Sequence, residues 1–190
     1  KWVFYDCSEL PGFIYGFAVP HTELTQEERT FYSLPDDYEG PVPLSMYIAI
    51  PMHESGTWFG HNLASLNRQI PKRELHHLGT ITKSLAMKAY RVERLVGATQ
   101  WSSKAVHIHT KFGPLQLLTA YTPAHSLHET LTYAIDVDDT CLRLAAGDLS
   151  LATQRPEPTE WLRSDDIDHM KRLQSAIEGG SRFELVGPPT

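Results

Sequence analysis

The chain has 190 residues, of which 41% are hydrophobic and 21% charged, and its formal net charge is −6 at pH 7. Two cysteines are too few for a disulfide scaffold, and the negative charge argues against a nucleic-acid binder. No apolar run approaches the roughly 20 residues that span a bilayer, so a membrane protein is also excluded.

We expect one soluble, cytoplasmic domain over residues 1–190, with a core over 1–153 and a C-terminal helical tail over 154–190. The thiols of Cys7 and Cys141 are expected to be reduced and separately buried. The first residues lack the apolar core of a signal peptide. The chain does not begin with Met, so the sequence leaves open whether its N-terminus is trimmed.

In chain order, the sequence first predicts two strands and a short helix. Trp2–Cys7 and Phe13–Val19 are rich in aromatic and β-branched residues and flank a Pro-Gly turn, which is typical of paired strands. Thr25 is followed three residues later by Glu28, so the next segment is predicted to be a helix that begins with a capping box.

The middle of the chain predicts a strand pair and the longest helix. Leu44–Ile50 and Thr57–Leu66 are the two strands, joined by a turn, and Gly79–Leu95 is the helix. Its predicted apolar stripe consists of Ile81, Leu85, Met87, Tyr90 and Val92.

The last third predicts further strands and a terminal helix over Asp165–Ile177, with Ser164 as its N-cap and Gly179 at its end. These elements predict an α+β fold, with a mixed, mostly antiparallel sheet and a long central helix on one face. The predicted strands of this part are Val96–Trp101, Leu115–Tyr121 and Thr130–Val137.

The segment from Ser102 to Gly113 admits two interpretations. As a helix, it has Ser102 as a cap and Gly113 as a terminator, and it separates His107 from His109 by a rotation of about 200°. As a strand, it alternates apolar and polar residues, so both imidazoles lie on one face.

The spacing in this segment resembles the last conserved helix of the GNAT acyltransferase superfamily. That family has an Asn, then an Ala, a Tyr and a Gly, at positions that Ser102, Ala105, His109 and Gly113 hold here. The order of elements over about residues 44–137 is similar too. The resemblance implies a GNAT-like fold and a small-molecule acyltransferase with an acyl-CoA type donor. It also implies that Ser102 and His109 are the catalytic residues, with His109 in the place of a general-acid tyrosine.

The resemblance also implies a site for coenzyme A. In the family, backbone N–H groups at the start of the long helix bind the pyrophosphate. The matching stretch from Glu74 to Gly79 keeps only Gly79 of the family pattern, and Glu74 stands where a cation or amide is expected. Leu78 and Gly79 are the implied phosphate contacts, and a strand edge near Leu63–Leu66, including Leu66, would polarise the thioester carbonyl.

The helical interpretation predicts different roles for the two histidines. His109 lies near the C-terminal end of the helix, where the dipole is expected to raise the pKa of its imidazole. We therefore expect His109→Ala to damage function far more than His107→Ala.

Four residues are predicted to line a substrate pocket. Trp58 and Asn62 lie on one face of a predicted strand, and Tyr121 and His125 complete the set, with Tyr133 as a further candidate that has no assigned role. Core packing explains Trp58 equally well. A small-molecule substrate and a second copy of the chain, in a homodimer, are the expected partners.

Lys83 carries a second hypothesis. Its surroundings faintly resemble the lysine segment of acetoacetate decarboxylase-like proteins, which implies a lyase or isomerase that acts on a small carbonyl compound through a Schiff base. An ordinary solvated lysine is the alternative. The third hypothesis is a non-catalytic module that binds a small apolar ligand. On a strand, His107 and His109 could chelate a metal with His125 or His128, but no acidic partner has a recognisable spacing, so the sequence predicts no metal site.

Overall fold

A mixed seven-stranded sheet is the centre of the fold. The computed structural model describes residues 12–65, 76–122, 129–148, 150 and 157–187. Within them the strand order is β1-β2-β3-β4-β6-β5-β7, and every neighbouring pair is antiparallel except β3 with β4. The strands are β1 (Phe13–Pro20), β2 (Pro41–Pro51), β3 (Thr57–Ser65), β4 (Arg94–Gln100), β5 (Leu115–Thr119), β6 (Thr130–Asp136) and β7 (Glu184–Leu185).

Helices fill the connections between the strands, so the predicted α+β fold is confirmed. None of the described helices is long and apolar enough to cross a membrane. Short 3-10 turns occupy His21–Glu23 and Thr110–Phe112. The α-helices are α1 (Gln26–Phe31), α2 (Leu78–Ala89), α3 (Ala105–His109), α4 (Asp139–Ala145) and α5 (Ile167–Glu178).

The predicted capping box of α1 is confirmed. The Glu28 backbone N–H donates to Thr25 Oγ1 at 3.2 Å, and the Thr25 backbone N–H donates to Glu28 Oε2 at 2.8 Å. Two N–H groups that the first turn leaves without helical partners are thereby satisfied. The predicted pairing of β2 with β3 is also confirmed, from Ser45 opposite Ser65 to Pro51 opposite Trp58.

The long central helix is shorter than predicted. It was expected to run from Gly79 to Leu95, but α2 ends at Ala89 and Arg91 adopts a left-handed φ of 51°. The Val92 N–H donates back to the Met87 carbonyl, which closes the helix end. The chain has to turn there because β4 begins at Arg94.

The predicted apolar stripe of α2 was wrong in part. Ile81, Leu85 and Tyr90 are 39%, 38% and 41% exposed, whereas Met87 and Val92 are buried. The face that packs on the sheet is mostly small or polar, because the sheet presents large side chains such as Tyr47 and Tyr133. The buried face consists of Leu78, Gly79, Thr80, Thr82, Lys83, Ala86 and Met87.

The C-terminal helix begins later than predicted. Asp166, not Ser164, is the N-cap of α5, and its carboxylate accepts from the His169 N–H at 2.9 Å. This register places Met170 in the core, which is the physical reason for the shift. Gly179 is confirmed as the C-cap.

Two elements have no counterpart in the predictions, namely α4 and β7. Asp138 caps α4 by accepting from the Cys141 N–H at 2.7 Å, and the Cys141 thiol is free and buried. The predicted strand Trp2–Cys7, and Cys7 with it, lies outside the described residues.

Candidate functional site

A cleft opens between β3 and β4. The two strands run parallel and pair from Thr57 opposite Arg94 to Gly60 opposite Gly97. β3 then continues to Ser65 and β4 to Gln100 without pairing to each other. Two parallel strands that stop pairing must diverge, so the opening has strand edges on both sides.

A β-bulge lies where the cleft begins. Asn62 of β3 is opposite Ile48, and Gly60 is opposite Ala49, so His61 is an extra residue in β3. Bulges bend a strand and redirect its backbone and side-chain groups, and they are common beside active sites.

A cavity of about 200 Å³ lies in this cleft. Both diverging strands line it, from Gly60 to Leu63 on β3 and at Ala98 and Thr99 on β4. α2 contributes Lys83 and α3 contributes Ala105 and His109, whereas β2 and β6 contribute one tyrosine each, Tyr47 and Tyr133.

Lys83 is the most unusual residue of the cavity because it is fully buried, with 0% of the residue exposed. The expectation of a solvated helix lysine was therefore wrong. Its Nζ lies 2.9 Å from Nδ1 of His109. It also faces the rings of Phe112, Tyr47 and Tyr133, at 4.7, 5.9 and 6.0 Å from their centroids. These rings offset part of the cost of removing the ammonium from water.

Burial shifts the protonation of both members of this pair. It lowers the pKa of Lys83 to about 7, an effect that a thiolate at Cys141 would oppose. Burial, followed by the positive charge of Lys83, lowers the pKa of His109 well below its ordinary value. The expectation that the helix end would raise the pKa of His109 was wrong, because a dipole contribution of about 0.3–1 kcal/mol is smaller than the desolvation of a buried imidazolium.

The helical interpretation of the segment from Ser102 to Gly113 is confirmed, and the strand is excluded. The segment forms α3 and the 3-10 turn that follows it, and helical rotation places the two histidines on different faces. His107 is exposed whereas His109 is buried. Ser102 is not the cap. It lies in an exposed turn outside the cavity lining, and the Ser103 hydroxyl accepts from the Ala105 N–H at 3.1 Å.

Two tyrosine hydroxyls close the narrow end of the cleft. A Cβ at Gly60 would lie 2.6 Å from the Tyr47 hydroxyl oxygen, and one at Gly97 would lie 2.5 Å from that of Tyr133. Gly60 and Gly97 are the last paired residues of β3 and β4. Because glycine has no side chain, Gly60 and Gly97 leave the space that the two hydroxyls occupy.

The start of α2 lies beside the wide end of the cleft. A Cβ at Gly79 would be 3.6 Å from Cβ of Ser65, the last residue of β3. His77, at the N-cap, has a left-handed φ of 59° and makes no side-chain cap, and its Nδ1 lies 3.3 Å from Nζ of Lys111. The positive end of the α2 dipole and the ammonium of Lys111 therefore lie close together.

Other residues that the sequence singled out lie elsewhere. Trp58 packs in the core, with its ring centroid 4.9 Å from that of Phe13, and Tyr121 packs against the core with Lys171 over its ring at 5.8 Å. Asn62 does line the cavity. The predicted residues Leu66, Glu74, His125 and His128 lie outside the described residues. In the part of the chain that the structure describes, no group of three His, Cys, Asp or Glu side chains could hold a metal ion.

No prediction from the sequence placed Tyr47 in the site, and none gave Tyr133 a role there. A signal was present, since β3 and β4 each carry a glycine within an otherwise strand-like run, and such a glycine often marks a close approach. The sequence alone does not say which side chain approaches, because both tyrosines belong to other strands.

The sequence matches no protein-family model and no curated protein. Similar solved structures include an IAA acetyltransferase from Bacillus cereus, with 14% identity over 66% of this chain and 99% of that one, and a TM-score of 0.39. A Bacillus subtilis acetyltransferase in complex with CoA has 11% identity, 67% and 99% coverage, and a TM-score of 0.40. The CoA-dependent acyl-homoserine lactone synthase BjaI has 12% identity, 77% and 85% coverage, and a TM-score of 0.41.

Acetyltransferases are among these solved structures, at identities of 11% and 14%. TM-scores near 0.4 carry no inference about activity, so the function has to be inferred from the cleft itself.

Proposed function

We propose that this chain is a small-molecule acyltransferase that moves an acyl group from a thioester of the acyl-CoA type to a nucleophilic acceptor. The observation that carries the proposal is the cleft, in which two parallel strands stop pairing at Gly60 and Gly97 around a cavity that holds a buried lysine–histidine pair.

The strand edges of the cleft suit an extended donor. The edges of β3 after Gly60 and β4 after Gly97 do not pair with each other, so an amide-containing chain can lie between them like an added strand. The bulge at His61 redirects backbone groups of β3 at the narrow end. An N–H group aimed at the thioester oxygen would stabilise the negative charge that develops there.

The start of α2 suits the phosphates of such a donor. The N–H groups of Leu78 and Gly79 lie in the first turn of a twelve-residue helix, where the dipole favours anions. Lys111, beside His77, adds a positive charge at this helix end. The N–H groups of Leu78 and Gly79 and the Lys111 side chain would therefore contact the phosphates, in place of the pyrophosphate-binding loop of GNAT acyltransferases.

Lys83 and His109 are suited to move the proton of the reaction. Acyl transfer forms a bond from the acyl carbon to the acceptor and breaks the bond to sulfur, while one proton passes from the acceptor to the sulfur. With a pKa of about 7, Lys83 is present near neutrality as both amine and ammonium. The amine accepts the acceptor's proton and the ammonium returns a proton to the sulfur, with His109 as the relay at 2.9 Å.

The burial of Lys83 also favours a second candidate, a lyase that forms an imine between Lys83 and a small carbonyl compound. A desolvated amine that is neutral near pH 7 is a nucleophile, and His109 could assist the loss of water. Borohydride trapping with acetoacetate or pyruvate, followed by peptide mass analysis, tests this candidate. Modification of Lys83 would support it, and an unmodified Lys83 would count against it.

Titration with acetyl-CoA in a calorimeter, followed by thiol release with a panel of small amines, tests the proposed function. We expect binding below millimolar ligand and acceptor-dependent release of CoA. Lys83→Met should stop release while leaving acetyl-CoA bound, and exposed Lys88→Met on the same helix is the matched control. No binding at millimolar acetyl-CoA would overturn the proposal. Binding without release by any amine would favour the non-catalytic module.

A further inference from the structure

Two polar side-chain atoms of the cavity have no hydrogen-bond partner among the described residues. They are the Tyr47 hydroxyl and Nδ1 of His61, and both are buried beside Gly60 at the narrow end of the cleft. Tyr47 is 2% exposed. Buried polar groups in proteins are nearly always paired, so these two atoms are available to pair with a ligand group or with a bound water.

The Tyr47 hydroxyl is suited to donate rather than accept. Burial raises the pKa of Tyr47 above its ordinary value, so the phenol stays protonated. Close contacts fix its position, since the ring lies against Phe13 at 6.1 Å between centroids and the hydroxyl lies on Gly60. A donor whose position is fixed loses little freedom when a ligand binds.

No carboxylate is found among the described residues that line the cavity, and Lys83 contributes an amine or ammonium 5.9 Å from the Tyr47 ring. A ligand oxygen that enters the cavity therefore meets no anionic group that would repel it, and the Tyr47 hydroxyl can donate to it. The complementary ligand group is an oxygen with free lone pairs and no need of a protein acceptor, such as a keto or carboxylate oxygen.

We propose that the acyl groups taken by this cleft carry a second carbonyl oxygen beyond the thioester, as 3-oxoacyl or carboxyacyl groups do, and that the Tyr47 hydroxyl binds it. This inference rests on the proposed function, since it places the acyl end of a thioester at the narrow end of the cleft. The cavity of about 200 Å³ has room for a short group of this kind. It corresponds to about seven water molecules at roughly 30 Å³ each. A plain alkyl acyl group of the same length would enclose the hydroxyl without a partner.

Dissociation constants of three CoA thioesters, measured by calorimetry, test the inference without requiring an acceptor. Acetoacetyl-CoA and butyryl-CoA have the same number of acyl carbons and differ by the keto oxygen, whereas malonyl-CoA carries a carboxylate. We expect acetoacetyl-CoA or malonyl-CoA to bind about 10–100-fold more tightly than butyryl-CoA. The tighter of the two identifies which oxygen the site prefers.

Tyr47→Phe should reduce this preference to about threefold or less. Tyr90→Phe, which removes an exposed hydroxyl outside the cavity, should retain the preference. Equal affinity of the wild-type protein for all three thioesters would overturn the inference and leave the hydroxyl as the partner of a bound water only. That result would leave the proposed function standing. No binding of any thioester would overturn the proposed function and the inference with it. The wild-type comparison is decisive even if Tyr47→Phe does not fold.

Discussion

Two cavities among the described residues differ in the polar groups that line them as well as in volume. The larger one, of about 350 Å³, lies beside α4 and is lined by residues that include Phe112, Asp136, Asp138 and Cys141. Two of its carboxylates have partners, since Asp136 pairs with Arg94 and Asp138 caps α4. Burial raises the pKa of Cys141 to about 12, so its thiol is a poor nucleophile near neutrality.

The smaller cavity in the cleft has the opposite character. Its lysine has no carboxylate partner among the lining residues described, and burial brings the pKa of that lysine to about 7. Phe112 separates the two cavities, because it lines the larger one and its ring lies 4.7 Å from Nζ of Lys83. We therefore place the candidate site in the smaller cavity, because titratable groups with strongly shifted pKa values are typical of functional sites.

The largest expected effect comes from Lys83→Met. Loss of the proton-transfer group should reduce kcat/KM for acyl transfer by about 100-fold or more, measured as CoA release. Cys141→Ala, in the larger cavity, should change kcat/KM by less than about threefold, since nothing there takes part. Comparable losses from the two substitutions would contradict the contrast between the cavities.

The next largest effect separates two neighbouring histidines. His109→Ala should lower kcat/KM by about 10–100-fold, because it removes the relay that contacts Lys83. His107→Ala should change it by less than about twofold, since His107 is exposed. Equal damage from both, or rescue by added zinc, would show that the two imidazoles act together and that this assignment is wrong.

Stability should depend on pH through Lys83. Its pKa is about 7 in the folded protein and 10.5 in the unfolded chain, so between these values the unfolded state binds more protons. The free energy of unfolding should therefore rise by about 2 kcal/mol from pH 7 to pH 9 because of this group. Urea denaturation of the wild type and of Lys83→Met, each at pH 7 and pH 9, gives the change in the free energy of unfolding for both proteins. The difference between the two changes is the contribution of Lys83, because the other titrating groups contribute almost equally to both. Parallel pH profiles would mean that Lys83 is not shifted.

The smallest effect concerns the glycines at the narrow end of the cleft. Gly60→Ala should lower the free energy of unfolding by about 1–2 kcal/mol, because the new Cβ meets the Tyr47 hydroxyl. Adding Tyr47→Phe should recover most of that loss. Gly97→Ala should cost more and be harder to relieve, since it also meets a ring carbon of Tyr133 at 2.6 Å. A double variant no more stable than Gly60→Ala alone would show that the hydroxyl is not the limiting contact.

Much of the local structure was predictable from the sequence. The capping box at Thr25 and Glu28, and the strands Leu44–Ile50 and Thr130–Val137, depend on neighbouring residues along the chain. The separation of His107 from His109 followed once the segment was taken as a helix, because helical rotation alone determines it. The candidate site was less predictable. The structure places Asn62, His109 and Lys83 in the cavity, whereas Ser102, Trp58 and Tyr121 do not line it.

The sequence by itself determined many of the strands and helices, such as α1, β2 and β6, because propensity, capping and periodicity act over a few residues. The tertiary structure decided that Lys83 is buried, that Ile81 and Leu85 are exposed, and that β3 and β4 diverge after Gly60 and Gly97. Those outcomes depend on contacts between distant parts of the chain. The ring of Tyr133 comes from β6 and that of Tyr47 from β2, and only their packing against α2 removes Lys83 from water and shifts its pKa.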